Sequence, residues 1–380
     1  MQRFLSHYYR SDMPRKTTLK PITLLLFLLT LMSYGQEGHS ETHSMEEPKT
    51  DLKTEIKEYI QHHLQDSYDF GLFSWVNDSG EHKYFGFPLP VILWDNGLQV
   101  FSSSKFHHGE EVAEVNGNYY KVHHSKIYKV DGKEGDIVLD EQHHATNQKP
   151  LDFSITKNVT LIFMVFALLF FMFSRMAKSY KSNNGMPKGM GRFLEPIVLY
   201  VRDEIAIPNI GEKHYRRYMS YLLTVFFFVW IVNLFGLTPI GMNLTNNIAV
   251  TFCLAIITYL ITTFSGNKNY WKHIFWMPGV PVPMKIILAP IELLGTFIKP
   301  FALMIRLYAN ITAGHIVLMS IIGMMFVFNS WIGSSLSLLL AFVLGILELL
   351  VAALQAYIFT VLSALYFGMA VEEHHHEEAH

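Results

Sequence analysis

The chain has 380 residues, of which 50% are hydrophobic and only 16% are charged, and its formal net charge is −2. So apolar a composition is rare among soluble proteins of this length and favours an integral membrane protein. A net charge near zero gives no electrostatic basis for binding nucleic acid, and the single cysteine, Cys253, excludes a disulfide within the chain.

The N-terminus has the pattern of a secretory signal peptide. Basic residues precede a short apolar run at 22–32, and small residues follow it. So short a run does not reach across a bilayer as a helix, which argues against a first membrane span. We predict that residues 1–35 are a signal peptide, with translation starting at either Met1 or Met13.

Residues 36–150 differ from the rest of the chain because they are rich in His, Asp, Glu, Lys and Gly. The pattern at 51–64 predicts a short helix. Between 85 and 139, short runs of Val, Ile, Tyr and Phe alternate with Asn-Gly and Asp-Gly pairs, which are typical of β-hairpin turns. We predict a small, polar, β-rich module that lies outside the membrane, on the periplasmic side.

Adjacent histidines recur along this region, at 62–63, 107–108, 123–124 and 143–144. They suggest either a metal site or solvated surface residues. Because neighbouring residues of a strand point to opposite faces, one pair is a poor chelate. We therefore expect no metal and no cofactor, and we predict that the His-rich end, 372–380, is a charged cytoplasmic tail.

Apolar segments dominate from residue 155 onward. The segments 155–176, 218–237 and 248–264 are each long enough to span a membrane. Basic residues follow the first and the third segment, and such flanks face the cytoplasm. This orientation agrees with a translocated N-terminus. Segment 191–218 mixes apolar and charged residues without a span, which predicts an interfacial helix on the cytoplasmic side.

Two longer apolar stretches follow, at about 284–328 and 331–370. A helix of forty residues is about 60 Å long, roughly twice the thickness of the hydrocarbon core. Such helices must tilt or bend. The predicted fold of 151–371 is therefore an all-α polytopic membrane domain of about five membrane helices. It includes two long tilted helices that form a hairpin, plus the interfacial helix, and the β-rich module precedes it.

The first long helix carries a stripe of polar or small residues. With 100° per residue, one side of it holds Glu292, Gly295, Thr296, Lys299, Ala302, Arg306, Asn310 and Ala313. Since the opposite side is Leu, Ile, Phe and Met, the stripe faces protein or water rather than lipid. Arg306 stays charged and costs several kcal/mol within a membrane. It either pairs with a glutamate of its own chain or meets a charge that comes and goes.

His315 lies about 180° around the helix from Arg306 and about 13 Å along it, so it belongs to a different environment. Glu348 is the only acidic residue between Pro300 and Glu372, and it shares a face of the second long helix with Gln355. A carboxylate in an apolar phase needs a partner or water. His and Glu side chains are well suited to exchange protons near neutral pH. A hydrogen-bonded packing histidine is the structural alternative.

At these residues a family resemblance emerges. The motifs "RLYANITAGH" and "LELLVAALQAYIFTVLSALYFGMA" resemble the two signature helices of subunit a of the F-type ATP synthase, and the resemblance covers about 155–371. It implies a multi-pass protein of the bacterial inner membrane that is no enzyme on its own. It further implies proton translocation through two half-channels, and contact with the c-ring and with b-type peripheral stalk subunits.

The resemblance also implies roles for individual residues. Arg306 is similar to the stator arginine that faces the ring, and Asn310 and Gln355 are similar to the polar residues beside it. His315 and Glu348 resemble the proton-path pair, although many bacterial relatives carry Glu on the first helix and His on the second.

The same resemblance covers residues away from the centre of the two helices. Glu292 resembles a further polar residue of the proton path at the far end of the first helix. Asn243, Asn246 and Asn247 either line the outer mouth of the path or form a plain turn.

A secondary ion transporter or channel would also place Arg and Glu in a membrane. Transporters usually contain internal repeats and broken helices, and no repeat is found in this sequence. A secreted binding protein with an anchor would need one span rather than five. The motif "GMPKGMGR" is not a phosphate-binding loop. The coupling ion is not fixed by the sequence, and the His–Glu pair favours the proton over sodium.

Overall fold

The computed structural model describes residues 66–76, 82–109, 111–140, 145–182, 186, 189–238, 244–277, 280–327 and 331–372. The predicted signal peptide, the predicted helix at 51–64 and nearly all of the tail lie outside the described residues. By its internal contacts the chain divides into two units, Met1–Lys49 with Trp75–His82 and Thr50–Ser74 with Lys83–His380. Among the described residues, the second unit holds the helices, and the strands except the tip of one hairpin.

Short strands occupy the described part of the chain before the first long helix, as predicted. They are β1 Asp69–Val76, β2 His82–Pro88, β3 Pro90–Trp94, β4 Leu98–Ser102, β5 Ala113–Val115, β6 Asn118–His123, β7 Lys126–Val130 and β8 Leu151–Asp152. Strands β1 and β2 pair with each other, β3 lies between β4 and β8, and β6 lies between β5 and β7. The pairs of the two three-stranded sheets are antiparallel.

The inner faces of these two sheets form one apolar core. Val91, Leu93 and Phe101 contribute from the first sheet, and Tyr120 and Ile127 contribute from the second. The rings of Phe101 and Tyr120 stack with centroids 6.2 Å apart. The alternation of buried and exposed residues along these strands follows from the period of two of a pleated strand.

Two of the predicted hairpin turns are confirmed. Asn96-Gly97 joins β3 to β4, and Asn116-Gly117 joins β5 to β6, each pair with positive φ angles that Asn and Gly tolerate best. The third pair, Asp131-Gly132, was wrongly expected to form a hairpin. The edge of β7 is instead bonded by a later segment, because the N–H of Lys129 donates to the carbonyl of Gln148.

A further hairpin turn lies at His124-Ser125, which joins β6 to β7. Both residues have left-handed backbone conformations, with φ angles of 44° and 58°. The register pairs His123 with Lys126, which leaves these two residues for the turn. Because His-Ser is not a usual turn pair, the sequence pattern did not reveal it.

Helices form most of the remainder. They are α1 Lys157–Ser182, α2 Met190–Tyr200, α3 Ile207–Ile210, α4 Tyr215–Gly236, α5 Ile248–Ser265, α6 Lys268–Phe275, α7 Val282–Val327 and α8 Trp331–Val371. Five of them, α1, α4, α5, α7 and α8, are long and apolar enough to cross a membrane, which confirms the predicted number among the described residues.

The predicted interfacial segment is helical up to Ile210. A π-helical turn, Val201–Ala206, joins α2 to α3, and Gly211 ends the segment with a φ of 89°. Buried side chains of this segment, such as Leu194 and Ile205, pack into the same core as α1, α4 and α8. It therefore braces the membrane helices at one end. The short helix α6 was not predicted.

The two longest helices, α7 and α8, have 46 and 41 residues and pack against each other as the predicted hairpin. At a rise of 1.5 Å per residue, α7 is about 69 Å long. It contains Pro290 and Pro300, each of which removes one backbone hydrogen bond. Helices of this length tilt or bend in a bilayer with a hydrocarbon core of about 30 Å.

Helix α8 is fixed at its C-terminal end by α3, α4 and the start of α6. The rings of Tyr218 and Phe367 stack with centroids 4.7 Å apart. A Cβ atom added at Gly368 would overlap the backbone oxygen of Asn209, so α3 and α8 pack backbone to backbone. Asn267 donates from its backbone and side-chain nitrogens to the last carbonyls of α8, at 2.9 and 3.1 Å.

Candidate functional site

The middle of α7 presents Arg306 and Asn310 on an exposed face, together with the small side chains Ala302 and Ala313. The other side of the helix is buried against the chain, for example at Leu307. In the part of the chain that the structure describes, Arg306 forms no ion pair with a carboxylate. The internal pairing that the sequence left open is therefore absent from the described residues. A charged group on a face of small residues is free to meet another helix.

Asn310 connects this face to α8. Its Nδ2 donates a hydrogen bond of 3.1 Å to Oε1 of Gln355. Gln355 is only 2% exposed. The bond therefore holds this buried amide against Asn310, which lies one helical turn after Arg306. The structure thus brings together two of the residues that the sequence singled out on separate helices.

His315 and Glu348 also meet between α7 and α8. Nδ1 of His315 lies 3.8 Å from Oε2 of Glu348, and the two side chains are 7% and 10% exposed. Both carboxylate oxygens are buried and accept no hydrogen bond from the described residues. A buried carboxylate without donors is stabilised by a proton, a nearby cation or water.

Gly314 makes room for this carboxylate. A Cβ atom at position 314 would lie 2.8 Å from Oε1 of Glu348, closer than real Cβ contacts allow. A larger residue next to His315 would make the end of the Glu348 side chain shift from its present position. Arg306 is exposed whereas His315 is buried, as their opposite helical phases predicted.

The N-terminal part of the stripe on α7 turns into the chain instead of facing outward. Glu292 and Lys299 are half-buried and Thr296 is buried. The Lys299 ammonium lies 5.6 Å from the centre of the Tyr366 ring on α8. Burial raises the pKa of the Tyr270 hydroxyl on α6, and Tyr259 and Glu292 add to the effect.

Polar side chains from several helices surround a small cavity at this level, and its lining includes Thr258, Thr262, Thr296, Lys299 and Tyr366. The residues 292 and 306 are separated by about 21 Å along the helix axis. The two polar regions of the long helices, one around Glu292 and one around Glu348, thus lie on opposite sides of Arg306.

Sequence analysis missed Asn233 on α4 and Thr245 in the connection between α4 and α5. Asn233 is 3% exposed, and neither polar atom of its side chain has a hydrogen-bond partner among the described residues. The hydroxyl of Thr245 is likewise buried without a partner there. The signal that could have found Asn233 is one amide near the end of an otherwise apolar span.

The sequence left open whether three asparagines near residue 245 line the outer mouth of the path or form a plain turn. Asn247 caps α5, since its side-chain oxygen accepts a bond of 2.9 Å from the N–H of Ala249. This contact favours the plain turn for Asn247. Asn246 ends a short 3₁₀ helix, Leu244–Asn246, and Asn243 lies outside the described residues.

Across the described ranges, no cluster of three or more His, Cys, Asp or Glu side chains could hold a metal ion. His107 and Glu111 form an exposed pair at 3.6 Å. His123 and His124 contact each other edge to face, with ring centroids 4.1 Å apart.

Comparison with known proteins matches two family models to this chain. The model described as ATP synthase A chain matches residues 159–368, which include most of the five long helices. A model described as a domain of unknown function, DUF8433, matches residues 59–153, the region of the β-rich module.

Curated bacterial proteins resemble the chain over most of its length. It is 44% identical to the ATP synthase subunit a of Chloroherpeton thalassium over 237 residues, which cover 60% of this chain and 70% of that protein. It is 37% identical to the ATP synthase subunit a of Chlorobium phaeobacteroides over 323 residues, covering 78% and 93%. It is also 37% identical to the ATP synthase subunit a 2 of Prosthecochloris aestuarii over 330 residues, covering 78% and 96%.

Proposed function

The chain belongs to the ATP synthase A chain family, and from this premise we propose that it conducts protons at the edge of the c-ring of an F-type ATP synthase. Two half-channels would lead protons to and from the ring, so that proton flow turns the ring and drives ATP synthesis elsewhere in the complex. The chain itself binds no nucleotide in this proposal.

The observation that carries the proposal is the exposed guanidinium of Arg306 on a face of small residues. A ring carboxylate must lose its proton on one side of a barrier and regain it on the other. A fixed positive charge between the two positions stabilises the ionised carboxylate and lowers its pKa. The same charge repels protons and blocks direct leakage. Asn310 and Gln355 border the path that the carboxylate follows.

His315 and Glu348 form the proton-exchanging pair of the outer half-channel in this proposal. Their shielding from solvent and the lack of hydrogen-bond donors to Glu348 within the described structure support a group that exchanges protons. Asn233 and Thr245, with their unpartnered buried polar atoms, extend the polar path toward the outer surface. Buried polar groups of this kind are commonly satisfied by water.

The inner half-channel is built around Glu292 at the other end of α7. The half-buried Lys299 beside the Tyr366 ring and the buried Thr296 supply further polar groups at this level. Because the two polar regions are offset on either side of Arg306, a proton can cross only by travelling with the ring. Each charge that crosses the membrane potential releases about 2.3 kcal/mol per 100 mV.

The remaining assignments concern topology and partners. We place the chain in the bacterial inner membrane, with residues 1–35 as a signal peptide, the module at 36–150 in the periplasm, the domain at 151–371 in the membrane and the tail at 372–380 in the cytoplasm. Its neighbours would be the c-ring and b-type stalk subunits. The His315–Glu348 pair favours protons over sodium as the coupling ion.

ATP-driven proton pumping in membrane vesicles tests the proposal. Arg306→Ala should abolish pumping while the complex still assembles, because no other fixed charge would meet the ring carboxylate. Arg306→Gln, which retains more of the side-chain volume, should fail in the same way. Arg175→Ala, on the last turns of α1, serves as the control and should retain pumping. Pumping that survives both changes at Arg306 would contradict the proposal.

A further inference from the structure

The outer face of the first three-stranded sheet of the module is apolar and exposed. Its side chains are Ile92, Trp94, Leu98, Val100, Leu151 and Phe153. All except the half-buried Ile92 are between 56% and 66% exposed. Soluble surfaces rarely gather so many large apolar side chains in one place, and such a patch marks an interaction site.

The strand register makes these side chains one continuous surface. Trp94 lies opposite Leu98 on β4 and opposite Leu151 on β8, and Ile92 lies opposite Val100. The N–H of Phe153 donates to the carbonyl of Ile92, which extends the patch toward α1. No charged residue interrupts it. Cross-strand neighbours on one face lie about 5 Å apart, so their side chains touch.

The second sheet of the module has the opposite character. Its outward positions include Glu114, Lys121, Lys126 and Tyr128. An antiparallel sheet that faces water on one side normally carries polar side chains there. Of the two three-stranded sheets, the first therefore has the apolar outer face and the second has the polar one.

This sheet is fixed to the start of a membrane helix. The N–H groups of Ile155 and Lys157 donate to the carbonyls of Pro90 and Ser67, at 3.1 and 2.9 Å. The N–H of Asn158 donates to Asp66 at 3.2 Å. Only three residues lie between Phe153 and Lys157, the first residue of α1, so the two are at most about 13 Å apart in extended chain.

We propose that the apolar face of the sheet formed by β4, β3 and β8 lies on the lipid bilayer, in the headgroup region beside the entry of α1. Helix α1 itself exposes apolar side chains along its length, such as Phe163 and Phe170. Tryptophan is favoured at this depth because its ring is amphipathic. The exposed Lys149, two residues before Leu151, keeps its charged end in water while its aliphatic stem can lie along an apolar surface.

The short hydrogen-bonded connection selects lipid over a distant protein partner, since it holds the sheet within reach of the bilayer. The inference rests on α1 crossing the membrane and does not depend on proton translocation. It assigns the module a second attachment to the membrane besides α1.

Site-specific photocrosslinking in the full chain, within the assembled complex in its native membrane, tests this inference. A diazirine-bearing aliphatic residue replaces Leu98 or Val100 in separate variants. Both positions are exposed, so the change leaves the sheet intact. The same residue at Phe163 on α1 provides the lipid-facing reference. The same residue at Lys126, on the β6–β7 hairpin, provides the water-facing control. Adducts are identified by mass spectrometry.

Lipid adducts at Leu98 and Val100 that match the yield at Phe163, and exceed that at Lys126 several-fold, would support the inference. Adducts to protein would overturn it, whether to the first 65 residues of this chain, to a second copy or to another subunit. Yields at Leu98 and Val100 equal to that at Lys126 would place the patch in water and would overturn it as well. If the variant at Leu98 or the one at Val100 does not assemble, the other still tests the inference.

Discussion

Nδ1 of His315 lies 3.8 Å from Oε2 of Glu348, across the interface between the two longest helices. This separation is longer than an ordinary hydrogen bond. The two groups can therefore exchange a proton directly only after a small movement that brings them closer, or indirectly through one bridging water molecule. Since both side chains are shielded from solvent, protonation of either one changes the charge of the whole pair.

We expect Glu348→Gln to lower ATP-driven proton pumping by about tenfold or more, because an amide cannot take up and release the proton. The measurement is pumping in vesicles at equal complex content. Glu372→Gln, just past the end of α8, removes an acidic residue outside the helix and should leave pumping unchanged. Equal pumping by wild type and Glu348→Gln would remove Glu348 from the proton path.

Gly314→Ala should impair pumping although it removes no titratable group. The added methyl would overlap Oε1 of Glu348, so the carboxylate must shift from its position beside His315. Gly295→Ala is the matched control on the same helix, because a Cβ atom there meets nothing within 4 Å. If both variants pump equally well, the close approach of Glu348 to α7 is not required for function.

Gly368→Ala should destabilise the membrane domain itself. Overpacking of a close interface costs about 1–3 kcal/mol, and a contact with the backbone of Asn209 cannot be relieved by a side-chain rotation. The measurement is the thermal unfolding midpoint of the detergent-solubilised chain. Gly345→Ala, also on α8, adds a Cβ atom in open space and should leave the midpoint unchanged. Equal midpoints for the two variants would show that α3 and α8 pack less tightly than described.

The β-rich module should lose stability in acid through Asp95. The side chain of Asp95 is 4% exposed and accepts hydrogen bonds from Lys129 and Tyr120, at 2.7 and 3.0 Å. The bond from Lys129 holds the pKa of Asp95 below its ordinary value. A lowered pKa in the folded state contributes stability above the unfolded pKa of about 3.9, which is lost as the pH falls through the folded pKa.

Asp95→Asn should therefore speed hydrogen exchange in β3 and β6 of the full chain at pH 7. It should also make the stability of the module depend less on pH in the acid range. The control is Asp136→Asn, because Asp136 pairs with Lys121 at 2.8 Å while 88% exposed, and exposed ion pairs contribute little. Faster exchange in the Asp136 variant than in the Asp95 variant would contradict the assignment.

Local patterns predicted much of the architecture. Runs of apolar residues gave the number of spans, because crossing a bilayer requires a helix of a certain length whatever its neighbours are. Two Asn-Gly pairs marked hairpins because these residues adopt positive φ angles at little cost. Asp131-Gly132 failed as a predictor because a distant segment, near Gln148, occupies the edge of β7.

The sequence by itself determined which side chains share a face of one helix, and so it separated Arg306 from His315. Only the tertiary structure decided which faces meet. It placed Asn310 against Gln355, 45 residues away, and Glu348 beside Gly314. It also turned Lys299 inward. The physical reason is that helical periodicity fixes the angle of a residue about its own axis, whereas the sliding and rotation of one helix against another depend on packing along the whole interface.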